Sequence, residues 1–210
     1  MHISEWLSFT LASFLLALTP GPDVLLVLTT AAARGWRKGL ALTLGLSSGV
    51  MAHTALVAFG VAAILVDSPM ALLALRFFGV GYLLYLAWQS WESRAESVTL
   101  ENRTGKQLQG GSLFDWYRRG IIMNISNPKV LLFFLAFLPE FAHPDRPGFG
   151  FRVLVLGAIF MAITVLVFGM VAVLSAKGMA RWVDHPRFNL VMSTISTGVF
   201  LAVAVWLLLF

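Results

Sequence analysis

Two ionisable residues, Asp23 and Lys129, stand inside apolar runs, each directly after a proline. Asp23 lies in Thr19-Pro20-Gly21-Pro22-Asp23-Val24-Leu25-Leu26, and Lys129 in Ser126-Asn127-Pro128-Lys129-Val130-Leu131-Leu132. Aligned on Pro22 and Pro128, the segments differ only by Asp for Lys through Leu26 and Leu132. Proline lacks an N–H and clashes with the carbonyl one turn earlier, costing about 3 kcal/mol or more inside a helix. Both runs therefore read as broken helices. The freed carbonyls of Leu18 and Thr19 can accept from an ammonium group. A helix restarting at Pro22 presents free N–H groups and a positive dipole end to a carboxylate. Asn127-Pro128 offers the same arrangement, with Asn124 and Ser126 as further polar lining. Asp23 and Lys129, of opposite sign at equivalent positions, are expected to neutralise each other. A third titratable group is His53, in Ser47-Ser48-Gly49-Val50-Met51-Ala52-His53-Thr54. The ordinary imidazole pKa near 6.5 suits a proton relay, although a single membrane histidine more often packs or hydrogen-bonds.

The surroundings of these residues are hydrophobic. Of 210 residues, 59% are hydrophobic and 12% charged, with a mean hydropathy of +0.84. Soluble domains carry about 25% charged residues. The composition is that of an integral membrane protein with one transmembrane domain over residues 1–210. A membrane-spanning helix needs about 20 apolar residues. Six stretches qualify, at roughly 4–31, 39–66, 70–91, 119–141, 149–176 and 188–209. Segment 92–118 reads as a loop ending in Ser112-Leu113-Phe114-Asp115, which has capping-box spacing. Trp116-Tyr117-Arg118-Arg119 follows as an interfacial anchor for the fourth span. At this depth a charge costs at least ~2.5–3.5 kcal/mol on insertion scales, so Asp23 and Lys129 should face a cavity or a partner.

The basic residues orient the spans. Arg34, Arg37, Lys38, Arg94, Arg103, Lys106, Arg118, Arg119, Lys177, Arg181 and Arg187 occupy alternate linkers; the opposite linkers hold Arg146 and Arg152. The positive-inside rule puts the first set, and loop 92–118, in the cytoplasm and both termini outside it. The net charge of +5 is thereby explained without a nucleic-acid partner. The first span then runs inward and the fourth outward. Two three-helix repeats, 4–91 and 119–209, would be inverted about an axis in the membrane plane, with broken first and fourth helices. The N-terminus lacks a basic n-region, and the first span is expected to be retained. With no cysteine, disulfide and thiolate chemistry are excluded. No cofactor or metal site is expected, and no H-E-x-x-H is present.

Other residues have structural readings. Gly45-x-x-x-Gly49 permits close helix approach, within the chain or in a homodimer. Tyr82, Tyr85, Trp88 and Trp91 suit a cavity lining or an interface belt. Arg76 lies within snorkelling reach of the outer surface, and Glu140 at the outer mouth.

The chain resembles the LysE/RhtB family of bacterial amino-acid exporters. The resemblance is carried by Thr19-Pro20-Gly21-Pro22-Asp23-Val24-Leu25-Leu26, Arg34-Gly35-Trp36-Arg37-Lys38-Gly39, Gly79-Val80-Gly81-Tyr82-Leu83-Leu84-Tyr85-Leu86 and Arg119-Gly120. Asn124-Ile125-Ser126-Asn127-Pro128-Lys129 and Phe133-Phe134-Leu135-Ala136-Phe137-Leu138-Pro139 complete it. Glu140 departs from the glutamine that the family pattern leads one to expect. The resemblance implies a six-span secondary exporter of the bacterial inner membrane, driven by the proton gradient. In that reading the substrate carboxylate meets Pro128 and Lys129, and its ammonium meets Asp23 and the carbonyls before Pro22. Asp23 and His53 are the proton-coupling candidates. One buried acid balanced by one buried base suits a zwitterion, hence neutral amino acids such as threonine, homoserine or leucine. The alternatives are export of basic amino acids, or an ion or metal channel or transporter of the same architecture. An intramembrane enzyme is not expected.

Overall fold

The computed structural model describes residues 3–19, 21–61, 69–93, 111–178 and 186–209. Among these the chain is entirely helical: α1 (Ile3–Leu18), α2 (Pro22–Arg34), α3 (Trp36–Ala55), α4 (Pro69–Glu92), α5 (Leu113–Ile125), α6 (Pro128–Ala142), α7 (Phe149–Ala176) and α8 (Pro186–Leu209). A π-helical turn, Leu56–Val61, prolongs α3.

The helix ends follow local chemistry. Gly35 alone turns the chain from α2 into α3, at φ +89°, which an L side chain rarely adopts. Trp36, Arg37 and Lys38 therefore belong to α3, not to a linker. At α5, the Ser112 hydroxyl accepts from the Asp115 N–H, and the Asp115 carboxylate accepts from the Ser112 N–H. This capping box starts the helix at Leu113, six residues before the expected 119. Trp116 is thereby drawn inward. It is 1% exposed and packs in a core with Val27, Leu42 and Leu46, so it is not an interfacial anchor. Arg119 stacks 4.7 Å over its ring, and Tyr117 donates to Ser48 Oγ at 3.0 Å.

Four helices are long and apolar enough to cross a membrane singly. The pairs α1–α2 and α5–α6 each qualify when taken together, bent by 57° and 56° at their breaks. The protein is thus a multi-pass membrane protein with four to six spans. The most extensive packing is that of α3 on α5; α2 packs on α3 and α7, α1 on α7, and α6 on α3 and α7. The helices α3 and α7 cross centrally, and α4 pairs with α8.

Lipid tails are as apolar as leucine, so small residues that let backbones approach closely hold such helices together. A Cβ on Gly45 would overlap the Tyr117 carbonyl, and one on Gly120 would overlap the Leu42 carbonyl. The Gly45-x-x-x-Gly49 pair is thus used within the chain: Gly45 against Gly120, and Gly49 against Asn124. Gly45→Ala should lower stability by about 1–3 kcal/mol through overpacking. Gly81→Ala, whose Cβ would meet nothing within 4 Å, should be near neutral. Thermal unfolding of both variants in detergent checks the contrast; equal melting temperatures would refute the proposed role of the α3–α5 crossing.

Candidate functional site

The two helix breaks lie against each other. At the second, α5 ends at Ile125, and Asn127 caps α6 with its Oδ1 accepting from the Lys129 N–H at 3.0 Å. Pro128 occupies the first helical position, where its missing N–H costs nothing. At the first break, Thr19 closes α1: its N–H and its hydroxyl both donate to Leu15 O, at 3.1 and 2.9 Å. Gly21, extended at φ −155°, precedes α2 without a side-chain cap, and Pro22 again takes the first position. Asp23 therefore sits in the uncapped first turn of α2, where the helix dipole favours a negative charge.

Thr19, Gly21, Asp23, Asn124, Asn127 and Lys129 line one cavity of about 40 Å³. Four of them are buried, at 2% exposure for Thr19, 6% for Asp23, 2% for Asn124 and 6% for Asn127. The Lys129 ammonium donates to Thr19 O at 3.2 Å and lies 5.2 Å from the Phe200 ring centroid. The carbonyl expected to receive a ligand's ammonium is thus held by the protein's own lysine. Lys129, Asn127 and Asn124 all act electrostatically on the Asp23 carboxylate. Yet Asp23 Oδ1 and Asn124 Oδ1 are buried without a hydrogen-bond partner. Unpaired buried polar atoms are costly. Here they mark acceptor capacity, aimed from two helix breaks, that a cationic donor could use.

Other expected residues fall elsewhere. Ser126 is exposed and does not line the cavity. Pro22 and Pro128 shape the backbone without lining it. Pro20 lies outside the described residues. His53 is buried outside the cavity, and its Nε2 donates to Asn124 O at 3.0 Å. It ties α3 to the last turn of α5. Tyr82 lines a crevice between α4 and α6, whereas Tyr85, Trp88 and Trp91 are 48–61% exposed, as a lipid-facing belt requires.

Sequence reasoning missed the wall that α7 provides. Phe160, Thr164 and Phe168 close the cavity opposite the breaks, and Thr164 turns its hydroxyl back to Phe160 O at 2.9 Å. A polar residue in the apolar middle of α7 was the available signal. It was weak, because such back-bonded threonines are common in helices.

The profile of the family described as LysE type translocator matches residues 14–209. The chain belongs to the LysE type translocator family. A Salmonella typhimurium protein named homoserine/homoserine lactone efflux protein is 30% identical over 187 residues, covering 89% of this chain and 87% of its own. An uncharacterized membrane protein of Vibrio cholerae is 28% identical over 202 residues, covering 96% of this chain and 95% of its own. Another from Pseudomonas aeruginosa is 30% identical over 166 residues, covering 79% of this chain and 77% of its own. No solved structure gave a significant match. This LysE-type translocator is a transporter, not an enzyme. Its two breaks, each with a proline, a polar cap position and a charge, are where irregular backbone is tolerated in a membrane, namely around a protein-lined cavity.

The His53 bond supplies a test of how the second break is held. His53→Leu removes the donor to Asn124 O and should cost about 1 kcal/mol of stability, the net worth of a typical hydrogen bond. His53→Gln, which keeps a donor, should recover most of it. Unfolding midpoints in detergent that are equal for Leu and Gln would refute the tie.

Proposed function

We propose that this chain exports small neutral amino acids from the cytoplasm across the bacterial inner membrane, in exchange for protons, by alternating access. The observation that carries this reading is the convergence of Asp23, Asn124, Asn127 and Lys129 on one cavity between two helix breaks. A zwitterion needs an anion and a cation held at short range, and this cavity has one of each.

In this reading the substrate ammonium displaces that of Lys129 from Thr19 O and reaches the unpartnered Asp23 Oδ1. The freed Lys129 meets the substrate carboxylate. Asp23 then takes a proton as substrate leaves outward and returns it to the cytoplasm. His53 has no direct place on the cavity and acts through Asn124. The name of the Salmonella typhimurium relative supports an amine-bearing substrate. Homoserine and its lactone share an amine, and only homoserine carries a free carboxylate. At about 40 Å³ the cavity holds about three or four waters at ~10–15 Å³ each. An amino acid needs more room, so the site must open to one side and then the other.

The reading includes an inverted repeat with both termini outside the cytoplasm. The nearly equal bends of the two broken pairs support the repeat. The basic linkers support the orientation. The lipid bilayer, the substrate and protons are the partners in this scheme; it works in one chain and needs no homodimer.

Counterflow of a radiolabelled amino-acid panel, with homoserine lactone included, into proteoliposomes is the direct test. Uptake of homoserine or another neutral amino acid is expected; no uptake of any amino acid would overturn the reading. Asp23→Asn should abolish proton-driven export. Lys129→Met strands a buried carboxylate, and should depress homoserine flux more than lactone flux, because only homoserine has lost a partner. The double variant Asp23→Asn, Lys129→Met removes both charges and should regain folding stability, as buried pairs replaced together do, while staying inactive. Near-native flux from the folded double variant would remove these two residues from the site.

A further inference from the structure

Beyond the central cavity, toward the end of the molecule where α6 finishes, a bidentate ion pair joins two helices. Arg76 on α4 donates from Nε and Nη2 to the two carboxylate oxygens of Glu140 on α6, both at 2.7 Å, with side-chain exposures of 22% and 11%. Arg76 does not snorkel away to the surface; it is turned to Glu140. A charge pair joining two membrane helices is a functional candidate.

The pair stands at the end of a seam that starts at the cavity. On α6, Lys129, Leu132, Ala136 and Glu140 share one face, and on α4 Arg76, Gly79 and Leu83 share another. Between the two faces runs a crevice of about 10 Å³ that is lined by Gly79, Tyr82, Leu132 and Ala136. Lys129 and Leu16 line both this crevice and the central cavity. Eleven residues of helix separate Lys129 from Glu140, about 16 Å at ~1.5 Å per residue. The seam is shut midway, where Gly79 is so close to Ala136 that a Cβ on the glycine would overlap the alanine methyl.

At the end of the molecule where α4 packs on α6, α1 also packs on α8. At that end Glu5 pairs with His143 at 3.0 Å, and Arg152 binds four carbonyls at the end of α6 and in the following turn.

We propose that substrate leaves along the α4–α6 seam, and that the Arg76–Glu140 pair is the outer gate, closed in this structure. The proposal rests on the export reading for its direction. Outward opening separates α4 from α6, breaks the pair and exposes Ala136 and Leu132 to water. The corresponding entrance from the cytoplasm lies between α2 and α8.

The chain has no cysteine, so single reporters can be placed freely. Ala136→Cys, with Leu132→Cys as a second reporter should the first not fold, is treated with a membrane-impermeant thiol reagent outside intact spheroplasts. Labelling should be slow with the native pair. It should become at least about tenfold faster with Glu140→Gln or Arg76→Gln, the factor produced by a ~1.4 kcal/mol shift of the closed–open equilibrium. Exchanging the charges, Arg76→Glu with Glu140→Arg, should return it to the slow rate. Unchanged labelling at both reporters would overturn the gate. So would an equal rise at Leu156→Cys, a core position on α7 with 0% exposure, because that would mean general loosening. Faster reaction from the cytoplasmic face of inverted vesicles would overturn it too. The readout needs no substrate, so the gate can fail while export stands, and proteoliposome counterflow can fail while the gate stands.

Discussion

A bilayer interior offers no water to a backbone that a proline has unwound, nor to a charge placed beside it. Nearly everything about this molecule follows from having two such places. Each break must be satisfied by protein, and each supplies part of what the other lacks. Thr19 O, at the end of α1, receives the Lys129 ammonium from the start of α6. Asn124 O, at the end of α5, receives His53 from α3. Asn127 satisfies the first turn of its own helix. The breaks are thus held against each other, and the long helices α3 and α7 are required to cover them.

Covering them demands close approach, and the glycines permit it. Gly45 and Gly120 let α3 lie almost backbone to backbone on α5, and Gly49 admits the Asn124 side chain. Gly157 does the same for Thr54 at the crossing of α3 and α7. In lipid these contacts stand in for the hydrophobic effect, since they gain dispersion that lipid tails could not match. They also keep the polar interior narrow, so that Asp23 and Lys129 act on each other across a small cavity.

In the proposed function this conformation is one state of a cycle. In the proposed cycle, Lys129 guards the carbonyl that a substrate would take, and Asp23 holds an unused oxygen toward the same cavity. The helices α4 and α6 pack together at the end that carries the Arg76–Glu140 pair. A transporter that exposes its site to two compartments in turn can be built from two similar halves that exchange such contacts. The ion pair at the closed end would make closure specific, because a bidentate guanidinium–carboxylate contact is directional as well as strong.

The sequence by itself determined the class of molecule, the two breaks and most of the polar lining of the cavity. These rest on rules that act over a few residues: proline cannot continue a helix, a charge cannot face lipid, and twenty apolar residues span a bilayer. The capping box at Ser112 was legible for the same reason, although its consequence, a helix beginning at Leu113 that buries Trp116, was not. Tertiary structure decided what depends on which faces meet. Nothing local indicates that Lys129 binds Thr19 O, that His53 stops at Asn124, that Ser126 points away, or that Phe160, Thr164 and Phe168 close the cavity. Nor does it reveal that Arg76 finds Glu140, sixty-four positions along the chain. Those outcomes are set by the crossings of glycine-lined helices, where a shift of one turn would change every partner.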